Sequence, residues 1–274
     1  MTSPALPTPV DRPAPADWPF YLGLGVMGGA YVVLLIGMLL ADIAFTSASD
    51  LMRAMASPEI RYAIRLSLLS CSITAILAVW VAVPLGYLLS RFEFRGKSLL
   101  DALLDVPIVL PPLVIGLSLL ILFQTPPGKF VDTIFPTTYA IPSVILAQFA
   151  VAAAFAVRTM RTTFDQITPR RELVALTLGA SRAQAFWWVV LPEARRGVVT
   201  ALTLSWARAL GEFGPVLVFS GATRLRTEVL PTTVFLELSV GNLYGAVAVS
   251  LLMVAAAVVV LVVVRLFGSG RAGV

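Results

Sequence analysis

Residues 66–90 read LSLLSCSITAILAVWVAVPLGYLLS, an uncharged run of 25 residues closed by Arg65 on one side and Arg91 on the other. At about 1.5 Å per residue, a helix of this length covers more than the ~30 Å hydrocarbon core of a bilayer. Its apolar residues occupy every phase instead of alternating. This predicts a membrane helix and argues against a barrel strand.

The rest of the chain is of the same kind. The 274 residues are 58% hydrophobic and only 13% charged, about half the charged share of a soluble domain. Mean hydropathy is +0.92. A soluble fold could not hide so much apolar surface, whereas a bilayer solvates it. Further long apolar runs lie at residues 21–41, 106–128, 133–157, 197–219 and 238–264. In the third run, helix is expected only over the first two-thirds, before Pro126-Pro127-Gly128. In the fourth it is expected from near Thr138. The reading is an all-α integral membrane protein of six transmembrane helices. Residues 1–19 are rich in Pro and Ala and predict a disordered tail. Residues 20–41 are taken as a retained first helix, because a signal peptide has a shorter apolar core and a basic leader. A short tail is expected at 267–274.

Charge sets the orientation. Segment 91–97 (RFEFRGK) has three cations and one acid, and 158–196 has seven arginines against three acids. On the other side, 124–132 balances Lys129 against Asp132, and 221–237 balances Arg224 and Arg226 against Glu228 and Glu237. Positive loops stay inside, so both termini are expected in the cytoplasm. The 42–65 loop is ambiguous, and residues 51–65 are expected to include a short interfacial helix. The net charge of +5 is accounted for by these loops, and no stacking face or basic stripe points to nucleic acid. The protein has no histidine and one cysteine, Cys71. That excludes Ser-His-Asp and Cys-His nucleophiles and His-bearing metal sites, and it leaves no internal disulfide. No catalytic residue, metal site or cofactor is expected. Gly96-Lys97-Ser98 imitates the end of a phosphate-binding loop. The glycine needed five positions earlier is Arg91, and a membrane helix precedes it where a strand is required.

Segment 158–196 is too long for a plain connection. Thr168-Pro169 predicts an N-cap followed by a first helical position. Leu173, Leu176 and Ala180 fall at helical spacing, and Gly179 is a natural terminator. Ser181-Arg182-Ala183-Gln184 is a capping-box pattern. It opens a second helix through Phe186, Trp187 and Trp188, expected to stop at Pro192. Such a hairpin can lie on the membrane with its tryptophans at the interface, or dock into a groove of a soluble partner.

The run 172–181 (ELVALTLGAS) followed by Leu191-Pro192 resembles the EAA loop of ABC-importer permeases of the type I fold. Glu172, Ala175, Gly179, Leu191 and Pro192 match that pattern, with Ala180 beside the glycine. Leu173 and Val174 depart from the usual small residues. The resemblance spans residues 60–266 and leaves out the first helix. It implies a coupling helix inserted into a separate ABC ATPase subunit, a substrate-binding protein on the far side, and a second permease copy, expected as a homodimer in the bacterial or archaeal cytoplasmic membrane. Residues 207–214 (ARALGEFG) and 105–112 (DVPIVLPP) are similar to stretches of molybdate, tungstate and sulfate permeases. Ferric-ion and polyamine permeases carry looser versions. The resemblance therefore implies an oxyanion as cargo, molybdate or tungstate first.

Arg208 and Glu212 sit four apart in an apolar run. Charges at membrane depth are costly unless paired, and this spacing lets each satisfy the other. They are candidates for a structural pair or for the translocation pathway. Pro111 and Pro112, followed by Gly116, are candidates for a kink or a gate. An intramembrane enzyme is the competing class, but Arg208 with Glu212 is the one buried ionisable pair it could use. A membrane-anchored assembly factor would not need the hairpin.

Overall fold

The computed structural model describes residues 18–268. The expected tails therefore lie outside the described residues, except at Trp18-Pro19 and Phe267-Gly268, which are helical. The chain divides into two units, 1–45 and 46–274. In the first, α1 (Trp18–Phe45) is one long helix, and no part of its apolar stretch is buried within this chain. A helix that is apolar all round needs a bilayer or a partner as its solvent.

The second unit opens with α2 (Ala48–Ala56) and α3 (Pro58–Arg91). Ser47 and Asp50 form a capping box at α2. Ser57 ends α2 and caps α3, with Pro58 at the first helical position. Residues 58–65 thus belong to α3, and the short helix expected over 51–65 is displaced to 48–56. The buried face of α3 is built of small residues: Ala63, Cys71, Ala75, Ala78 and Ala82 are 0–1% exposed. It meets Ala147, Ala152 and Ala156 of α7 (Ile141–Gln166). Small side chains let membrane helices approach closely where no hydrophobic force drives them together. The opposite face of α3 presents Leu69, Ile73, Ile76 and Trp80, the last 74% exposed. An apolar surface of this kind is what a lipid-facing helix requires.

The third apolar run is not a single helix starting at Val106. It comprises α4 (Lys97–Val109) and α5 (Pro112–Gln124), bent by 113°. The cause is local. Leu110 and Pro111 each precede a proline, and both take extended backbone (ψ 141° and 134°), because the following ring disfavours the helical region. Pro126-Pro127-Gly128, expected to close a helix, instead opens α6 (Pro126–Ile134), capped by Thr125. Proline is well placed at a first helical turn, where no N–H is needed. α7 begins at Ile141, a little later than expected, and continues nine residues past Val157 to Gln166, so the segment expected as a loop from Arg158 starts as membrane helix.

The fifth run is also broken, into α11 (Arg195–Leu210) and α12 (Gly214–Phe219), after the short helices over residues 170–193. Pro215 cannot donate to the carbonyl of Gly211, which ends α11. A break among apolar helices must have its backbone resatisfied. The fully buried Gln148 of α7 adds a bond beside it: its Nε2 donates to Ala209 O at 3.2 Å, which also accepts from the N–H of Glu212, and its Oε1 accepts from Thr74 of α3 at 3.3 Å. Gln148→Leu removes both bonds and is expected to cost about 1–2 kcal/mol, read as a lower thermal-unfolding midpoint in detergent. An unchanged midpoint would show that Gln148 does not hold this break.

The last run lies almost wholly in α14 (Leu243–Gly268); its first two residues close α13 (Leu230–Ser239), and Gly241 (φ +79°) turns the chain between the two. The N–H of Leu230 is held by Ser67 Oγ at 2.8 Å. Among the described residues, four helices are long and apolar enough to span a bilayer alone, and the bent pair α4–α5 makes five.

Candidate functional site

The hairpin predicted at 158–196 starts with α8 (Arg170–Thr177). Pro169, not Thr168, holds the N-cap position, without a side-chain cap. Gly179 at φ +91° ends the helix. The N–H of Ala180 returns to Ala175 O at 3.1 Å and that of Gly179 to Leu176 O at 3.0 Å. This closing turn needs a left-handed residue, and glycine adopts it without strain. Ser181 and Gln184 then form a reciprocal capping box (2.8 and 3.2 Å) that opens α9 (Arg182–Ala185).

The second hairpin helix does not stop at Pro192. A π-helical turn over Phe186–Val190 leads into α10 (Leu191–Glu193), and bonds from Ala194 and Val198 carry the helix on into α11. The wider turn lies immediately before Pro192 and gives room for a ring that an α-helical turn would meet at its i−4 carbonyl. Leu191-Pro192 thereby lies in the helical path by which the hairpin runs into α11.

One face of the hairpin is open and apolar. Leu173 and Val174 are exposed, as are Trp187 and Trp188, and Leu178 is 83% exposed. The other face is tied to the bundle. Glu172 accepts a short hydrogen bond from Tyr87 Oη of α3, and its second oxygen lies 3.5 Å from Arg91 Nε. Arg91 also donates to Ile167 O at 2.7 Å. Beneath these polar contacts Tyr87 packs edge-on against Phe186 of the hairpin (4.7 Å), Phe164 of α7 (5.6 Å) and Phe92 (5.9 Å). Arg171 reaches Glu193 at 2.5 Å and joins the two limbs of the hairpin. Beside it, α4 is held to α7 by Arg158–Asp105 at 2.6 Å and by Arg161–Asp101. Six positions were singled out in the sequence here. Glu172, Ala175, Gly179 and Ala180 shape α8 and its closing turn, while Leu191 and Pro192 shape the return. Tyr87, Arg91 and Phe164 were not anticipated. A tyrosine and an arginine at the end of an apolar run look like interface anchors, and only the tertiary structure brings them under Glu172.

The second group of candidates also comes together. Arg208 Nη1 lies 2.6 Å from Glu212 Oε2, an ion pair without hydrogen-bond alignment, since Glu212 Oε2 has no hydrogen-bond partner. Glu212 is 1% exposed, while the Arg208 guanidinium sits 5.7 Å over the ring of Phe155. Glu212 is part of the break between α11 and α12. Gly214, two residues on, is packed against Pro112: a Cβ built there would lie 3.0 Å from Pro112 Cβ and from Leu113 N. Pro112 and the Glu212 segment are thus neighbours, with Pro111 exposed beside them.

Residues 82–271 match the family described as the binding-protein-dependent transport system inner membrane component. The chain belongs to this family. This permease is 36% identical over 205 residues to the molybdate/tungstate transport system permease protein of Thermococcus kodakarensis, covering 74% of the chain and 78% of that protein. It is 31% identical over 244 residues to the sulfate transport system permease protein of Escherichia coli, covering 88% of each. Its fold is that of an ABC transporter of known structure involved in the import of the acidic polysaccharide alginate. The TM-score is 0.77 at 14% identity, over 94% of this chain and 97% of that one. The protein is therefore a multi-pass inner-membrane permease subunit of an ABC importer, a transport subunit.

Proposed function

We propose that this permease forms the pathway of an ATP-driven importer for a small oxyanion, molybdate or tungstate. The hairpin over residues 170–193 is the docking element for an ABC ATPase subunit, and the nucleotide site belongs to that subunit. The observation that carries this reading is the two-faced hairpin: Leu173, Val174 and Leu178 stand open, while Glu172 is locked beneath them to Tyr87 and Arg91. A surface of that shape suits a groove in a soluble partner, and its locked side would pass movement into α3 and α7.

The chain crosses the membrane six times, with α4–α5 and α11–α12 each taken as one broken crossing beside α1, α3, α7 and α14. Both termini and the arginine-rich hairpin end are cytoplasmic, as the charge asymmetry supports. Two copies of the chain enclose the pathway, and the transport core comprises residues 60–266. A substrate-binding protein docks at the opposite end. There Arg224 pairs with Glu237 at 2.9 Å and Asn242 holds the other oxygen of Glu237 at 2.7 Å. Tyr62 of α3 ties the same loop down through Arg226 O at 2.9 Å.

The oxyanion reading is supported by the relatives' cargo. Sulfate is the second reading, because the relative named for sulfate matches over a greater length of the chain. The test is to express the chain with a cognate ABC ATPase and substrate-binding protein, and to follow ATP-dependent uptake into proteoliposomes. Molybdate and tungstate are expected to compete for uptake, with sulfate at least about tenfold weaker, a difference of about 1.4 kcal/mol. Uptake of sulfate alone would select the second reading. Uptake of no oxyanion would overturn both.

A further inference from the structure

A polar cleft of about 540 Å³ opens at the hairpin end between α7 and α11. Its closest point is Gly197 of α11 against the side chain of Thr163 of α7. Toward the hairpin end it is lined by Gln166, Glu193 and Arg196, which form its mouth, and toward the bundle by Thr159 and Thr200. On the inner side the same two helices bring Arg208 over Phe155, four residues before Thr159 on one helix and eight beyond Thr200 on the other.

The charges on this wall do not cancel. Arg158 is neutralised by Asp105, Glu193 by Arg171, and Arg208 by Glu212. Arg196 lines the mouth and, among the described residues, has no acid partner. The cleft is therefore net positive by one charge. Its threonine protons are spent inside their own helices: Thr159 donates to Phe155 O (2.8 Å), Thr163 to Thr159 O (2.8 Å) and Thr200 to Arg196 O (2.9 Å). The donors that remain are Arg196, the Gln166 amide and the Arg158 nitrogens other than Nη1. A wall of this kind attracts an anion by field and offers little to grip it. A passage needs that combination, because a tight site would not release.

We propose that this cleft is a low-affinity vestibule for a small oxyanion at the cytoplasmic mouth of the permease, with Arg196 as the attracting charge. That an oxyanion is the ion in question rests on the proposed cargo; the anion selectivity of the cleft does not. An anionic lipid headgroup has the same chemistry, and the test separates the two.

Cys71 is fully buried, so Cys71→Ala supplies a background in which an introduced thiol is the one that reacts. In the full complex with its ATPase, held in nanodiscs of neutral phosphatidylcholine, Thr200→Cys is labelled with two methanethiosulfonates of similar size and opposite charge. The anionic reagent is expected to react about fivefold faster than the cationic one, the effect of one charge about 9 Å away at a water-like dielectric near 80. Arg196→Gln should bring the ratio to about 1 on the same estimate, while Arg196→Lys keeps it and shows that the fold is intact. Millimolar molybdate or sulfate should slow labelling of the Arg196 chain and not of Arg196→Gln, with chloride at equal ionic strength as the reference. A ratio that does not depend on Arg196 overturns the proposal. So does protection by phosphatidylglycerol in the nanodisc without protection by either oxyanion, which would make the cleft a lipid site. Labelling needs no transport. A charge-selective, oxyanion-protected cleft in a complex that imports no oxyanion would therefore sink the cargo reading and leave the vestibule standing.

Discussion

Glu172→Ala is expected to lower uptake per ATP hydrolysed by about tenfold. The substitution removes the acceptor of Tyr87 and the counter-charge of Arg91 together. Arg91 and Glu172 are both nearly buried, with side chains 11% and 13% exposed. Arg91 Nε already has no hydrogen-bond partner, so its remaining compensation there is the carboxylate. Stranding a buried charged group costs about 1–3 kcal/mol, and each 1.4 kcal/mol shifts the population of correctly seated hairpin by about a factor of ten. The open face of α8, with Leu173, Val174 and Leu178, is untouched, so the ATPase should still bind. The expected signature is therefore a complex that assembles and hydrolyses ATP but transports poorly. Glu172→Gln keeps an acceptor for Tyr87 and should fall between the two. Proteoliposome uptake measured beside ATPase activity and co-purification decides it. If Glu172→Ala transports like the parent, the contact with α3 does not carry the movement. If the ATPase no longer co-purifies, Glu172 acts in docking instead.

Gly116→Val is expected to abolish uptake and lower the unfolding midpoint of the purified chain by about 5 °C or more. Even a bare Cβ at Gly116 would lie 2.7 Å from Pro215 Cα and 3.0 Å from Pro215 O. Those are backbone atoms of α12 beside a fixed proline ring, so no side chain can swing aside. Overpacking of this kind costs about 1–3 kcal/mol. Relief requires α5 and α12 to separate, and that movement pulls on Pro112 and on the Glu212 break, which adjoin the same contact. Gly37→Ala is the control. It adds a methyl to a helix glycine with nothing within 4 Å and should be neutral or slightly favourable, since alanine is the better helix former. Parent-like uptake from Gly116→Val would mean that this contact is looser than the geometry requires.

The long apolar helices were legible because solvent chooses them. A run such as 66–90 has no charge to satisfy, so length and composition suffice to place it in a bilayer. The turn at Gly179 and the capping box at Ser181 were equally legible, since each is a local hydrogen-bond pattern with its own residue requirements. The breaks were harder. Pro111-Pro112 announced a kink, yet 113° of bend follows from two successive extended residues. Pro126-Pro127 and Pro192 were read as stops, and both lie within or at the start of helices. Proline opens a helix as readily as it closes one, and its own sequence context does not say which.

The sequence by itself determined that this chain is a bundle of membrane helices with a shaped, arginine-rich hairpin on one side. Those properties are sums over local composition and charge. Tertiary structure alone decided what the hairpin is fastened to and where the charges end up. Glu172 meets Tyr87 and Arg91 from 85 and 81 positions away. Gln148 reaches the break at Ala209, and among the described residues Arg196 has no acid partner while Arg158 and Glu193 along its cleft each have a counter-charge. Partners so distant in the chain are selected by helix packing, and no local pattern encodes them.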